Sequence, residues 1–159
     1  VSGYSVMNRA EYVLSDNTYL ISSRVDIGKF IDIPKASKDN GAVAQVWSFT
    51  GSDAQVFRIR PTGGGNGAYW IENVNSGKVL GVPSGSKKKG AAVAQYTDKY
   101  TLENKWYAKR SIYDDSCIFV NAYSGMVLDL AGGVASDGTK LDQWLFNDTK
   151  AQNWIISRL

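Results

Sequence analysis

Runs of three or four apolar residues recur along most of the chain, each broken off by a cluster of Ser, Asn, Asp or Gly. Tyr19-Leu20-Ile21, Phe30-Ile31-Asp32-Ile33, Tyr69-Trp70-Ile71, Val79-Leu80-Gly81-Val82, Ile118-Phe119-Val120 and Val127-Leu128-Asp129-Leu130 are the clearest. Runs of this length bounded by turn residues predict short strands. No helical period competes with them: Thr101 to Asp115 shows no sustained apolar face at i, i+3, i+4 spacing. The chain holds 16 Gly, nine Tyr and five Trp against three Pro, a composition suited to aromatic strands joined by many turns. An all-β fold is expected.

The pattern also repeats, and a repeat constrains the fold before any motif does. Gly28, Gly77 and Gly125 each stand four residues before Asp32, Gly81 and Asp129. Fifteen residues further on come Trp47, Tyr96 and Trp144, and ten beyond those come Phe57, Trp106 and Trp154. The copies are therefore offset by 49 and then 48 residues, with polar loops ending at Gly41, Gly90 and Gly138 between the columns. Each copy reads as four short strands, over 19–62, 69–109 and 116–159. A unit of about 45 residues cannot bury a core alone. Three copies are expected to close about a pseudo-threefold axis into one twelve-strand body over 19–159, with 1–18 as a lead-in strand or tail.

Length and charge set outer bounds. A chain of 159 residues can bury a sizeable core with no disulfide or metal to staple it. A net charge of +3 is too mild to predict a nucleic-acid partner. No apolar run reaches the length of a spanning helix, so no membrane insertion is expected. The absence of histidine excludes Ser-His and Cys-His nucleophiles and His-ligated metals. Cys117 is the lone cysteine and is expected to be a small buried hydrophobe. Nothing calls for a metal or cofactor. Asp114-Asp115 and Lys87-Lys88-Lys89 read as solvated turn and loop residues, the lysines having as their sharper alternative a basic rim for acidic glycans.

The end of each copy carries a resemblance. Gln55-Val56-Phe57, Asn104-Lys105-Trp106 and Gln152-Asn153-Trp154 are similar to three versions of the Q-x-W signature of ricin-type β-trefoil lectins, and the apolar-Asp-apolar strand upstream is similar as well. The resemblance spans residues 19 to 158. It implies a β-trefoil with Phe57, Trp106 and Trp154 in the core and Gln55, Asn104 and Gln152 bracing their loops. Trp70 is expected either to join the core or to pack beneath a neighbouring loop.

The resemblance also implies where a sugar would bind. An aspartate accepts hydrogen bonds from adjacent ring hydroxyls, and an aromatic offers its face to the apolar side of the ring. Copy one supplies Asp32, Trp47 and Gln45, with Thr50 and Asp53 nearby. Copy three supplies Asp129 and Trp144, with Asp142 at the Gln45 position and Asn147 three residues after the Trp. Copy two has Gly81 instead of aspartate and retains only Tyr96. The family's further asparagine is Ala54, Glu103 and Ala151 here, so no copy has the full set. The competing reading gives Asp32 and Asp129 to backbone amides at a turn.

These residues point to a non-catalytic carbohydrate-binding module for galactose-type or related glycans. It is expected in an extracellular or cell-surface setting, beside other domains of a larger chain. The alternative is a trefoil with degenerate sites that serves as a protein-interaction or spacer module.

Overall fold

The computed structural model describes residues 5–98 and 100–159. They form twelve strands: β1 (Asn17–Ser23), β2 (Lys29–Asp32), β3 (Gln45–Ser48), β4 (Phe57–Pro61), β5 (Ala68–Asn73), β6 (Val79–Gly81), β7 (Ala94–Tyr96), β8 (Trp106–Arg110), β9 (Cys117–Asn121), β10 (Val127–Leu130), β11 (Leu141–Trp144) and β12 (Trp154–Arg158). Every helical element among the described residues is a single 3-10 turn.

Six strands close into a barrel through antiparallel pairs: β1 with β4, β4 with β5, β5 with β8, β8 with β9, β9 with β12, and β12 back to β1. The remaining six form three hairpins, β2–β3, β6–β7 and β10–β11, which cap the barrel. Backbone bonds running from copy to copy tie the hairpins together. The Ala44 N–H donates to Val93 (2.9 Å), Val93 to Leu141 (3.1 Å), and Leu141 back to Ala44 (3.0 Å), a closed ring about the pseudo-threefold axis. This is a β-trefoil.

The barrel strands alternate as a half-buried strand should. On β4, Phe57 and Ile59 are wholly buried while Arg58 and Arg60 turn outward. Phe57, Trp106 and Trp154 are each 0% exposed and share one core with Ile21, Ile71 and Leu128. A buried indole N–H needs an acceptor. Trp106 Nε1 donates to the Leu80 carbonyl (2.9 Å) and Trp154 Nε1 to that of Leu128 (3.2 Å), the matching position of the next copy. Trp70 takes the second of its two expected places, outside this core and edge-on to Tyr100 in a loop. Cys117 is buried, and burial pushes its thiol pKa up.

Residues 1–4 of the expected lead-in lie outside the described residues. Residues 5–16 form a strap with no counterpart in the copies. It begins with a 3-10 turn (Val6–Asn8) and pairs with β8, the Tyr12 N–H donating to Ala108 O (3.0 Å) and the Arg110 N–H to Ala10 O (2.8 Å). Arg9 reaches from the strap to Asp148 (2.9 Å), with its guanidinium 5.2 Å from the Phe146 ring centroid.

Candidate carbohydrate site: two carboxylate–indole clefts

The register of each capping hairpin determines what faces outward. In copy one Asp32 lies opposite Gln45, and Phe30 opposite Trp47. In copy three Asp129 lies opposite Asp142, and Val127 opposite Trp144. Residues two apart on a strand share a face, so β3 presents Gln45 with Trp47 and β11 presents Asp142 with Trp144. Both faces open into hollows. Cleft one, about 430 Å³, is lined by Asp32, Gln45, Trp47 and Thr50, together with Lys35 and Ala36 of the turn after β2. Cleft three, about 460 Å³, is lined by Asp129, Asp142, Trp144 and Asn147, together with Thr149 and Lys150.

The rings are held as plates. Trp47 keeps 38% of its surface exposed, and Trp144 is half-buried. Each leans on the loop glycine of a neighbouring copy. A Cβ on Gly138 would sit 3.7 Å from Trp47 Cζ3, and one on Gly90 would sit 3.4 Å from Trp144 Cζ3. Gly138 and Gly90 adopt φ of 93° and 88°, where a side chain is strained in any case, so the turn is tight and the ring backed by bare main chain. Lys89 also sits over Trp144, with its ammonium 5.1 Å from the ring centroid.

The acids lie at the base of the clefts, Asp32 and Asp129 each 7% exposed. Gln45 Nε2 donates to Asp32 Oδ2 (2.7 Å), and no backbone amide among the described residues is bonded to the Asp32 carboxylate. Burial raises the Asp32 pKa, while the Gln45 and Gln55 amides oppose that rise. In copy three a second acid replaces the glutamine. Burial first, and then the Asp129 carboxylate beside it, push Asp142 up to about 8. Burial raises Asp129 also, against hydrogen bonds from Asp142 and Gln152. Near neutral pH these shifts favour one proton on the pair, so that a carboxylic acid faces a carboxylate across the hairpin where copy one has Gln45 facing Asp32.

A pH dependence follows. Between the ordinary carboxyl value of 3.8 and about 8, folded Asp142 keeps a proton that the unfolded chain releases. The contribution of this pair to stability is complete at low pH and falls as pH rises through that window. Asp142→Asn supplies an amide donor at every pH. Urea denaturation from pH 5 to 9 is expected to show the wild type losing stability relative to this variant as pH climbs. Parallel curves would refute the shared proton.

The loops carrying Thr50 and Asn147 are held alike. The Gln55 amide donates to Ser48 O (2.9 Å) and accepts from the Thr50 N–H (2.9 Å). Gln152 donates to Leu145 O (2.9 Å) and accepts from the Asn147 N–H (2.8 Å). Asn147 Oδ1 is occupied by the Thr149 hydroxyl (2.8 Å), which leaves its Nδ2 as the donor toward the cleft. Asp53 does not line cleft one, whereas Ser52 does.

Copy two lacks the acid for a steric reason. Gly81 lies opposite Ala94. A Cβ on Gly81 would run into Asn104 Oδ1 and come within 2.9 Å of the Glu103 carbonyl oxygen. The asparagine that stands in for Gln55 and Gln152 fills the space where their copies hold an aspartate.

Lys35 and Lys150 were not anticipated from the sequence. Each occupies a turn that brings it over a cleft, and the signal available was their adjacency to the Asp32 strand and to Gln152. Asp114, expected as a solvated turn residue, lies on the exposed surface. Its pKa is lowered to about 2 by the Ser116 hydrogen bond and then by Arg24, 2.6 Å away.

The model of the ricin-type β-trefoil lectin domain-like family matches residues 8–96, 64–144 and 102–159, and the chain belongs to that family. Among solved structures it is similar to the designed three-fold symmetric protein ThreeFoil, with 29% identity, TM-score 0.84, and 89% of this chain and 99% of that one covered. It is similar to an exo-beta-1,3-galactanase from Clostridium thermocellum, with 27% identity and TM-score 0.84, over 94% of this chain and 32% of that one. The Macrolepiota procera ricin B-like lectin, solved with lactose, shares the fold at 23% identity and TM-score 0.77, over 92% and 99% of the two chains. No curated protein matches the chain.

Proposed function

We propose that the chain is a carbohydrate-binding module with two sites, one in each cleft, that take galactose-type or related glycans. One observation carries this reading: in both clefts a buried carboxylate and a partly open indole face the same hollow from adjoining strands. Gln45 engages Oδ2 of Asp32, so Oδ1 remains to accept a ring hydroxyl. The indole covers the apolar face of the sugar, and release of water between the two flat surfaces drives contact. The lactose-bound relative supports the same ligand class.

The role is recognition rather than turnover. Glycosidases hold their two carboxyl groups about 5 Å or more apart across the scissile bond. Asp129 and Asp142 are instead cross-strand neighbours on β10 and β11 at the base of one cleft. A shallow cleft with one stacked ring gives a Kd of about 1 mM for a single sugar, and two clefts on one body raise the effective affinity for a multivalent surface. Such a module suits a larger secreted or surface chain.

A glycan array with the wild type and the Asp32→Ala, Asp129→Ala double variant tests the reading. The wild type is expected to bind galactose-containing glycans, and the double variant to lose at least about tenfold, one charge-assisted contact per site. Binding that survives the double variant would show that the sites lie elsewhere, and no binding at millimolar sugar would leave the protein-interaction reading, which Ala54, Glu103 and Ala151 at the family's asparagine position favour.

A further inference from the structure

Each cleft contains one lysine, and the two lysines come from different places in the repeat. In cleft one it is Lys35, in the turn after β2. The matching residue of copy three is Gly132, and cleft three takes its ammonium instead from Lys150, whose counterpart in copy one is Asp53. We propose that both clefts select saccharides carrying an anionic group, a carboxylate or a sulfate ester, and that Lys35 and Lys150 supply the cation that reads it.

Three observations support this, and all rest on the clefts being sugar sites. First, Lys35 lines cleft one from a left-handed turn (φ 54°, ψ 26°) whose equivalents are Ser84 in copy two (φ 46°, ψ 39°) and Gly132 in copy three (φ 64°), while Lys150 lines cleft three. Ala36 beside it is also left-handed, at φ 52°. The two ammonium groups thus reach equivalent clefts from non-equivalent turns of the repeat. Second, neither lysine takes part in any of the six ion pairs among the described residues, although Lys29 and Lys109 do. Third, an acid and a lysine line each cleft together. With one proton shared by Asp129 and Asp142, each holds one carboxylate at its base and one ammonium on its rim.

The division of labour is chemical. The carboxylate accepts from ring hydroxyls, while the ammonium, a compact and strongly hydrated charge, pairs with an anionic substituent at the ring's edge. Cleft three is the more cationic, because Lys89 stands over Trp144 where the loop behind Trp47 carries Asp137, already paired with Lys29 (2.8 Å). Cleft three should therefore discriminate more strongly.

The test titrates the full chain with lactose, a sulfated lactose and galacturonic acid, following the indole N–H signals of Trp47 and Trp144 by NMR so that each cleft reports separately. The anionic sugars are expected to bind about fivefold more tightly than lactose at low salt, with the preference shrinking as salt is raised. Lys35→Gln should bring the anionic-to-neutral ratio in cleft one to about one while the ratio at Trp144 persists, and Lys150→Gln the reverse. Preference for only one of the two anionic sugars identifies the group that is read. Equal binding of neutral and anionic sugars, or ratios unmoved by both substitutions, overturns the inference while leaving the sugar sites standing. No shift with any sugar overturns both.

Discussion

Trp154→Ala is expected to remove about 3–5 kcal/mol of stability, the range for truncating a fully buried large aromatic. That is a large part of the margin of about 5–15 kcal/mol that a domain has. The ring is 0% exposed and stands on β12, the strand that joins copy three to copy one and closes the barrel. The substitution opens a cavity at the threefold core and leaves the Leu128 carbonyl without its indole donor. Trp154→Phe should cost much less, since copy one builds the same position from Phe57, also 0% exposed. Trp144→Ala, ten residues upstream, should leave stability nearly intact while silencing cleft three. Urea unfolding followed by far-UV circular dichroism measures all three. A loss below about 1 kcal/mol for Trp154→Ala would mean that the core does not depend on the inward aromatic column.

The contrast between those tryptophans shows what the sequence makes legible. Two aromatic columns recur at fixed spacing, and strand alternation with closure about an axis requires one to be filling and the other displayed. Phe57, Trp106 and Trp154 fill; Trp47 and Trp144 stand at the clefts. Asp32, Gln45, Asp129 and Asp142 came instead from the resemblance to ricin-type lectins, and the hairpin register brings Asp32 to Gln45 and Asp129 to Asp142. What spacing cannot convey is backbone handedness. Lys35 reaches the cleft because its turn is left-handed, and nothing in Pro34-Lys35-Ala36 announces that where Ala131-Gly132-Gly133 would. The shared proton of Asp142 depends on burial and a neighbour across the hairpin, so the letter Asp at the Gln45 position did not reveal it. The strap over residues 5–16 was opaque for another reason: it has no counterpart in the other copies, so no column identifies its partners.

Copy two gives the second large effect. Gly81→Asp, which restores by letter the acid of the other two copies, is expected to destabilise by about 3 kcal/mol, the upper end for forcing extra atoms into a packed site, and to create no third cleft. The obstruction includes backbone: the Glu103 carbonyl lies 2.9 Å from where the Cβ must go, and Asn104 Oδ1 occupies the path of the side chain. Copies one and three pair an aspartate with the longer glutamine, Asp32 with Gln55 and Asp129 with Gln152, and in both the amide reaches past the acid to the loop. Copy two pairs glycine with the shorter asparagine. Each half of that exchange makes sense only with the other. Adding Asn104→Gln to Gly81→Asp should therefore recover about 1 kcal/mol or more as a favourable coupling between contacting residues, read from a double-mutant cycle in urea. Full stability of Gly81→Asp alone would show that copy two closes for some reason other than this contact. A strictly additive double variant would show that the two positions changed independently.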